Sequence, residues 1–250
     1  MTGLYLDAFA ITMRARPLLR PTGELHRTHQ QRQVAQLVAA RRGVPSGRIK
    51  VRQPLHNDLA DAGDFLIVQR ALTALGPPPQ RPQTLYVVRS GPLLDPMVAP
   101  LAATVHTLGW PGDEVGVSHL EEQGGALVFD LLAWTIPEDA GATLIIVDDP
   151  AYVDDATEKP AFAAVSLRLS RAGALHVVAC GEGAPPGAHP HTFSGTGPCD
   201  PWLDLYAALA CGAIQRGESV LLRTTGQERQ GWVLLEAARP ERLYLKSVRI

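Results

Sequence analysis

Residues 114–133 contain the residue pattern in this sequence that is best suited to present a catalytic side chain. Residues 115–118 are typical of a strand, and the apolar spacing of residues 124–136 predicts a helix, with a sharp turn between them. A side chain in such a turn stands at a helix N-terminus, where N–H groups and the helix dipole favour negative charge developing on a nucleophile. Gln123 occupies this turn. Because an amide is not a nucleophile, the sequence predicts a site whose chemistry is altered or lost.

Three cysteines are the other candidate nucleophiles. Cys199 precedes Asp200 at a predicted helix start and follows His191 by eight residues, so it is either a low-pKa thiol or a small packing residue. Cys180 ends a predicted strand and Cys211 lies in an apolar helix, which favours the core for both. An odd number of cysteines without metal-type spacing predicts neither disulfides nor structural zinc.

Two charged segments offer binding chemistry, each with a simpler alternative. Asp148, Asp149, Asp154 and Asp155 form an acidic loop that predicts either a divalent cation or acid–base site, or a solvated strand end. A basic run opens the chain, and it predicts contact with a phosphate-bearing carrier or cofactor, or a solvated face. Its members are Arg14, Arg16, Arg20, Arg27, Arg32, Arg41, Arg42, Arg48, Lys50 and Arg52.

The overall composition excludes several classes of protein. A net charge of −2, with 46% hydrophobic and 19% charged residues, gives no reason to expect nucleic acid or an anionic membrane as partner. No apolar run reaches the roughly 18 to 20 residues that span a bilayer, and no leader pattern is present. We therefore expect a cytoplasmic protein without membrane contact.

Strand and helix patterns alternate through the first two thirds of the chain. Strands are predicted at 4–12, 84–89, 115–118 and 143–148, and helices at 64–75, 97–108 and 124–136. The stripe Phe65, Val68, Leu72 and Leu75 predicts core or a subunit contact. Such alternation predicts an α/β layered fold with a mainly parallel sheet.

The pattern changes after residue 160. Consecutive strands are predicted at 162–170 and 175–180, joined by a hairpin-like connection, so the sheet should be mixed. Residues 181–197 are rich in Gly, Pro and His and predict a linker. A helix at 201–214 with Asp200 as N-cap, then strands at 219–225 and 232–236, close the chain. The predicted units are 1–180, the linker 181–197, and 198–250.

The C-terminal segment resembles a known family. Residues 195–198 lead into a helix, and residues 212–222, GAIQRGESVLL, resemble the run "x-I-x-x-G-D-x-V-L-L" of the ketoacyl-ACP synthase III group of the thiolase fold. Residues 231–235, GWVLL, resemble the strand "W-x-A-x-L-L" that follows it. The chain is identified as a shortened member of this group. The resemblance implies a thiolase-like layered fold with its second half truncated, so that 1–180 is the N-terminal half and 198–250 a remnant of the C-terminal half.

The resemblance also assigns the site. Active members carry an acyl-accepting cysteine where this chain has Gln123, or Glu122 if the register slips by one. They also use a histidine and an asparagine. In the order of the chain, His189 or His191 lies near the place of that histidine, and Thr196 lies near the place of that asparagine. The implied site is therefore Gln123 with His191, and Cys199 is an outside candidate. A glutamine amide can still stabilise an enolate or mimic an acylated cysteine.

Three functions follow from this resemblance. The first is a non-nucleophilic subunit that pairs with an active condensing enzyme in fatty-acid or polyketide-type biosynthesis. The second is a decarboxylase or acyltransferase of malonyl or acyl thioesters, with the Gln123 amide as donor and His191 or His189 as polarising group. The third is a binder of acyl thioesters without turnover.

The resemblance implies partners and ligands as well. The expected partner is a homologous synthase subunit or a second copy of this chain, with residues 97–108 and 115–118 at the interface, and an acyl carrier protein as a further partner. No metal or resident cofactor is expected, and the implied ligand is an acyl-CoA or acyl-carrier-protein thioester.

Overall fold

The computed structural model describes residues 3–21, 29–52, 63–77, 79, 81–94, 100–137, 139–226 and 229–250. The helices are α1 (His29–Arg41), α2 (Gly63–Ala74), α3 (Pro100–Leu108), α4 (Gly124–Thr135) and α5 (Asp200–Ala210). The strands are β1 (Leu4–Met13), β2 (Leu19–Pro21), β3 (Ile49–Arg52), β4 (Thr84–Arg89), β5 (Glu114–Val117), β6 (Ala142–Asp148), β7 (Tyr152–Asp154), β8 (Ala163–Ser170), β9 (Leu175–Glu182), β10 (His191–Gly195), β11 (Ser219–Thr225), β12 (Gln230–Ala237) and β13 (Tyr244–Arg249).

One large mixed sheet organises the molecule, which confirms the α/β class. Its strand order is β10-β11-β12-β9-β1-β8-β6-β4-β5, and β13 pairs with β1 beside this path. Parallel ladders join β4 to β5 and β6, β10 to β11, and β1 to β13. The other ladders are antiparallel, so parallel pairing is confined to separate parts of the sheet. The few residues between the end of β11 and the start of β12 can join only antiparallel neighbours, whereas parallel neighbours need a longer crossover.

The strands β8 and β9 are consecutive, as expected, but they do not pair with each other. β1 lies between them and is antiparallel to both. At the connection, Ala174 donates its N–H to the carbonyl of Leu6 at 2.9 Å. A side chain at Gly173 would collide with Asp7, so the chain passes close over β1 there.

Helices cover the sheet on two sides. α4 and α5 share one large core with β1, β6, β8, β9, β11 and β12, and α2 packs with β4 and β6 in a second cluster. The strand β6 is buried along its whole length, as its unbroken apolar run predicts. The core position of the predicted stripe is confirmed for Val68, Leu72 and Leu75, whereas the side chain of Phe65 lies outside the described residues. Residues 97–99 of the predicted helix 97–108 also lie outside them.

A small layer stands beside this body. The strands β2, β3 and β7 form an antiparallel sheet, against which α1 buries Ala35, Val38 and Ala39. The C-terminal elements α5, β11 and β12 belong to the main core, and β10 lies within the range predicted as a linker. None of the described helices has the length and apolar character needed to cross a membrane.

Candidate functional site

The predicted strand, turn and helix around Gln123 are present. β5 ends at Val117, a single 3-10 turn covers Glu121–Gln123, and α4 follows. His119 and Glu121 adopt left-handed backbone conformations, with φ of 65° and 50°. Such conformations cost non-glycine residues of order 1–3 kcal/mol and often mark functional turns. The sharp turn presents Gln123 immediately before the first residue of α4.

The side chain of Gln123 is enclosed. Only 3% of the residue is exposed, and Nε2 has no hydrogen-bond partner among the described residues. On one side Gly231 of β12 packs so closely that a Cβ there would stand 3.9 Å from the Gln123 Cα and 3.1 Å from the Ala126 Cβ. A buried amide without a partner costs about 1–3 kcal/mol, so this position holds an unused donor.

An ion pair lies at the mouth of this enclosure. Glu182, at the end of β9, accepts two hydrogen bonds from the guanidinium of Arg229, in the turn between β11 and β12. These bonds lower the pKa of Glu182, and the nearby Gln123 amide adds to the effect without a hydrogen bond of normal geometry. The carboxylate of Glu182 is therefore ionised at neutral pH.

A second carboxyl group flanks Gln123. Glu122 is partly buried against the backbone of Gly226, where any Cβ would collide with its carboxyl group. Burial raises the pKa of Glu122, and a smaller contribution from Glu121 acts in the same direction. Two carboxyl groups and one guanidinium therefore border the amide, and Arg229 balances the charge of Glu182. Sequence patterns did not indicate Glu182 or Arg229, because their proximity to Gln123 arises only when β9 and β12 pair.

The N-terminal ends of α4 and α5 meet beneath this cluster. A side chain at Gly125 would collide with the carbonyl of Pro198, and Trp202 donates its indole N–H to the Gly125 carbonyl at 2.8 Å. The Trp202 ring also stacks on Phe129, with centroids 5.5 Å apart. The turn containing Thr196 is thus held near the start of α4, and the Thr196 N–H donates to Asp200.

The structure does not bring His191 to Gln123. His191 begins β10, and its Nε2 lies 2.9 Å from the Glu218 carboxylate. At the other end of β10, Gly195 pairs with Thr224 of β11, and Thr224 pairs with Gly231 of β12. Because Gly231 packs against Gln123, this is the end of β10 that faces the Gln123 region. Four residues of extended strand place His191 about 13 Å further along the sheet.

His189 is also engaged elsewhere. Its Nδ1 lies 3.1 Å from the Ser219 hydroxyl and its Nε2 2.7 Å from the Pro186 carbonyl. The histidines and the glutamine were assigned by their order in the chain, which does not specify the end of the strand at which a side chain lies.

The three thiols lie in different environments, and one of them agrees with its sequence-based expectation. Cys199 is fully buried and donates to the Ile146 carbonyl. Burial, then Asp148 and Asp200, raise its pKa, so Cys199 is the small packing residue of the two alternatives and not a low-pKa thiol. Burial and then Asp130 raise the pKa of the half-buried Cys180 to about 11. Cys211 is exposed at the end of α5, not in the core.

The basic run and the acidic loop pair with each other. Arg14 and Arg52 bind Asp149 in the interior, where all three side chains are at most 3% exposed. The remaining pairs of this belt are Arg16–Asp155, Lys50–Asp155, Arg48–Asp154 and Arg42–Glu158. Within the described ranges, no group of three or more His, Cys, Asp or Glu is arranged to hold a metal ion. Six of the ten basic residues are therefore paired with these acids, and Arg27 lies outside the described residues.

Asp148 stands apart from this belt. It is 3% exposed and accepts a 2.7 Å hydrogen bond from the N–H of Ala161. Burial, followed by repulsion from Asp200, Asp149 and Glu158, raises its pKa to about 7.

Known structures resemble this arrangement of elements. ChlB3, described as an acyltransferase, superposes with a TM-score of 0.62 at 12% identity, over 96% of this chain and 99% of its own. The fold is thiolase-like. An OleA variant from Xanthomonas campestris gives 0.57 at 11% identity, over 93% of this chain and 98% of its own. PksG, an HMG-CoA synthase from Bacillus subtilis, gives 0.58 at 11% identity, over 96% and 81%. No family model and no curated protein matches the sequence.

Proposed function

We propose that this chain is a non-nucleophilic thiolase-fold subunit that pairs with an active condensing enzyme in fatty-acid or polyketide-type biosynthesis. The observation that carries the proposal is Gln123, an enclosed amide at the start of α4, where the resemblance places the acyl-accepting cysteine. The turn before α4 and the contact of Gly125 with Pro198 hold the backbone around this amide.

The positions of the thiols support a role without acyl transfer. Cys199 points into the core beneath the α5 start, and Cys180 has a pKa of about 11. Neither thiol forms a useful fraction of thiolate at neutral pH, and the thiolate is the attacking species. Cys211 lies at the opposite end of α5 from the cluster around Gln123.

A decarboxylase of malonyl thioesters is the second candidate, favoured by the unused Nε2 donor of Gln123. Such an amide is suited to stabilise an enolate oxygen. The flanking carboxyl group of Glu122 opposes it, because a malonyl carboxylate would meet like charge there, whereas Glu182 is balanced by Arg229. The histidine that would polarise the thioester, His191, lies at the far end of β10 and is engaged with Glu218. The subunit role therefore agrees better with the site.

The test is incubation of the purified chain with malonyl-CoA and acetyl-CoA, followed by intact-protein mass spectrometry and measurement of carbon dioxide release. We expect no covalent adduct and no release. Gln123→Cys is the matched variant, because it returns a thiol to the same enclosure. An adduct on the wild-type chain, or carbon dioxide release that disappears in Gln123→Ala, would reject the proposal and make the chain an enzyme.

Any carrier protein would then meet the active partner in this proposal, since six residues of the basic run are already engaged in ion pairs with Asp149, Asp154, Asp155 and Glu158. The thioester ligand belongs to the partner's site in this proposal, which requires no resident cofactor in this chain.

A further inference from the structure

The strands β9, β12, β11 and β10 carry packed helices on one face only, within the described ranges. α4 and α5 are the helices that pack on these strands. Val233 and Leu235 of β12 point towards them and belong to the large core. Because side chains alternate along a strand, Trp232 and Leu234 point to the opposite face. That face has no helix of this chain against it.

The short connection between β9 and β10 explains this open face. β9 and β10 run parallel, because β12 is antiparallel to both β9 and β11, and β11 is parallel to β10. Parallel strands are usually joined by a crossover of a dozen or more residues that contains a helix. Here residues 183–190 make the whole connection, which is too short for such a helix. The connection therefore does not supply the usual cover.

The open face is more apolar than a solvated antiparallel face, which carries polar side chains. Trp232 and Leu234 are partly exposed on it, and Leu234 pairs with Ala179 of β9, which shares the face. The indole of Trp232 lies across Gly181, where a Cβ would stand 2.9 Å from Cζ2 and 3.2 Å from Cε2. Tryptophan side chains are frequent anchors of protein interfaces. The face thus has the character of a contact surface.

Two opposite charges border the apolar part of this face. Arg223 of β11 pairs in register with Trp232, and Glu236 lies four residues further along β12. Within the described part of the chain, neither side chain forms an ion pair, and Arg223 donates only to the amide oxygen of Gln230. Four residues of extended strand separate the two charges by about 13 Å, so they cannot pair with each other. We call the following residues the outer face: Ala179, Arg223, Trp232, Leu234 and Glu236.

The geometry points to a second copy of this chain as the occupant of the outer face, packed outer face to outer face about a two-fold axis that passes near Leu234. Every contact in a two-fold interface occurs twice, so Arg223 of each copy meets Glu236 of the other. The outer face is therefore complementary to itself in charge. Trp232 and Leu234 are buried between the two ion pairs, which removes their partly exposed surface from water.

This inference goes beyond the proposed function and does not depend on it. Gly231 packs against Gln123, and Gly231 and Trp232 are successive residues of β12, so they point to opposite faces. Gln123 thus lies on the other side of β12 from the outer face. Two copies joined through their outer faces leave the enclosure of Gln123 free for a different partner.

Exchange of the two charges tests the contact. Arg223→Glu leaves only acidic charge on the outer face, Glu236→Arg leaves only basic charge, and the double variant restores opposite charges in exchanged positions. Asp139→Arg is the matched control, because Asp139 is exposed in the connection between α4 and β6. Light scattering and native mass spectrometry report the mass of each chain over a range of concentrations, and circular dichroism verifies that each variant is folded.

We expect the wild-type chain to form a dimer. Each single variant should weaken dimerisation by at least about tenfold, because like charges would face each other at both ends. The double variant, and an equimolar mixture of the two single variants, should recover the dimer to within about threefold. Asp139→Arg should leave it unchanged.

A monomeric wild-type chain, or a dimer whose strength the single variants do not change, would overturn the inference. Losses in the single variants that neither the double variant nor the mixture recovers would also overturn it, because the charge pairing would then be absent. None of these results bears on acylation, so this test and that of the proposed function fail independently.

Discussion

At the scale of single residues, the protonation states of ionisable side chains in this fold do not follow from residue type alone. Asp148 and Asp149 are neighbours and equally buried, but Asp149 is bound by Arg14 and Arg52 whereas Asp148 faces other acids. The first is stabilised as a carboxylate and the second as a neutral acid.

Asp148 should make the stability of this protein fall as the pH rises. Its pKa is about 7 in the fold against 3.8 as the ordinary value. Its contribution is thus complete below about pH 4 and is lost as the pH rises through 7. Between pH 5 and pH 8 we expect a loss of about 2–3 kcal/mol in the free energy of unfolding.

Asp148→Asn keeps the acceptor for the Ala161 N–H and removes the titration, so this part of the pH dependence should disappear. Urea unfolding at several pH values measures it, with the exposed Asp139→Asn as control. Identical pH profiles for wild type and Asp148→Asn would contradict the assignment.

At the scale of elements, the decisive contact is between the starts of α4 and α5. Two successive glycines open α4, and the structure gives each a role: Gly124 lies against Val88, and Gly125 against Pro198. The sequence predicted the turn and the helix, because strand and helix periodicities change there. It did not predict that Pro198 would be the neighbour, since residues 125 and 198 meet only in the folded chain.

Gly125→Ala should therefore destabilise the protein by about 1–3 kcal/mol, even though alanine is the better helix former. Gly47→Ala is the control, because its Cβ would meet nothing within 4 Å. We expect that control to change stability by less than about 0.5 kcal/mol. The midpoint of urea unfolding measures both, and a Gly125→Ala variant as stable as wild type would contradict the close contact.

At the scale of the whole molecule, the two predicted units share one sheet. β1 lies between β8 and β9, and beyond β9 the sheet continues with β12, β11 and β10 as successive neighbours. The large core contains Phe9 from β1 and Trp202 from α5, with ring centroids 5.9 Å apart. The large core is therefore built from both ranges, whereas the two smaller clusters around α2 and α1 draw their buried residues from 1–180.

We expect the full chain to unfold in one cooperative transition, with far-ultraviolet circular dichroism and tryptophan fluorescence coinciding. The fragment 1–197 should lack stable tertiary structure, because it would leave β9 without β12 and α4 without α5. Two separated transitions would show that 1–180 and 198–250 fold as independent units.

The sequence by itself determined the class of fold, the strand–turn–helix at Gln123 and the absence of a nucleophile in that turn. Periodicity and residue type are local properties of the sequence, and they can be analysed without knowledge of the tertiary structure. The C-terminal resemblance added the thiolase-like architecture, which the known structures share.

Only the tertiary structure decided which side chains surround Gln123. It placed Glu182 and Arg229 at the site, left His191 at the far end of β10, and buried Cys199. It also paired the basic run with the acidic loop. These outcomes depend on strand order and register, which bring together residues far apart in the chain, and a shift of one residue in register would turn each side chain to the other face.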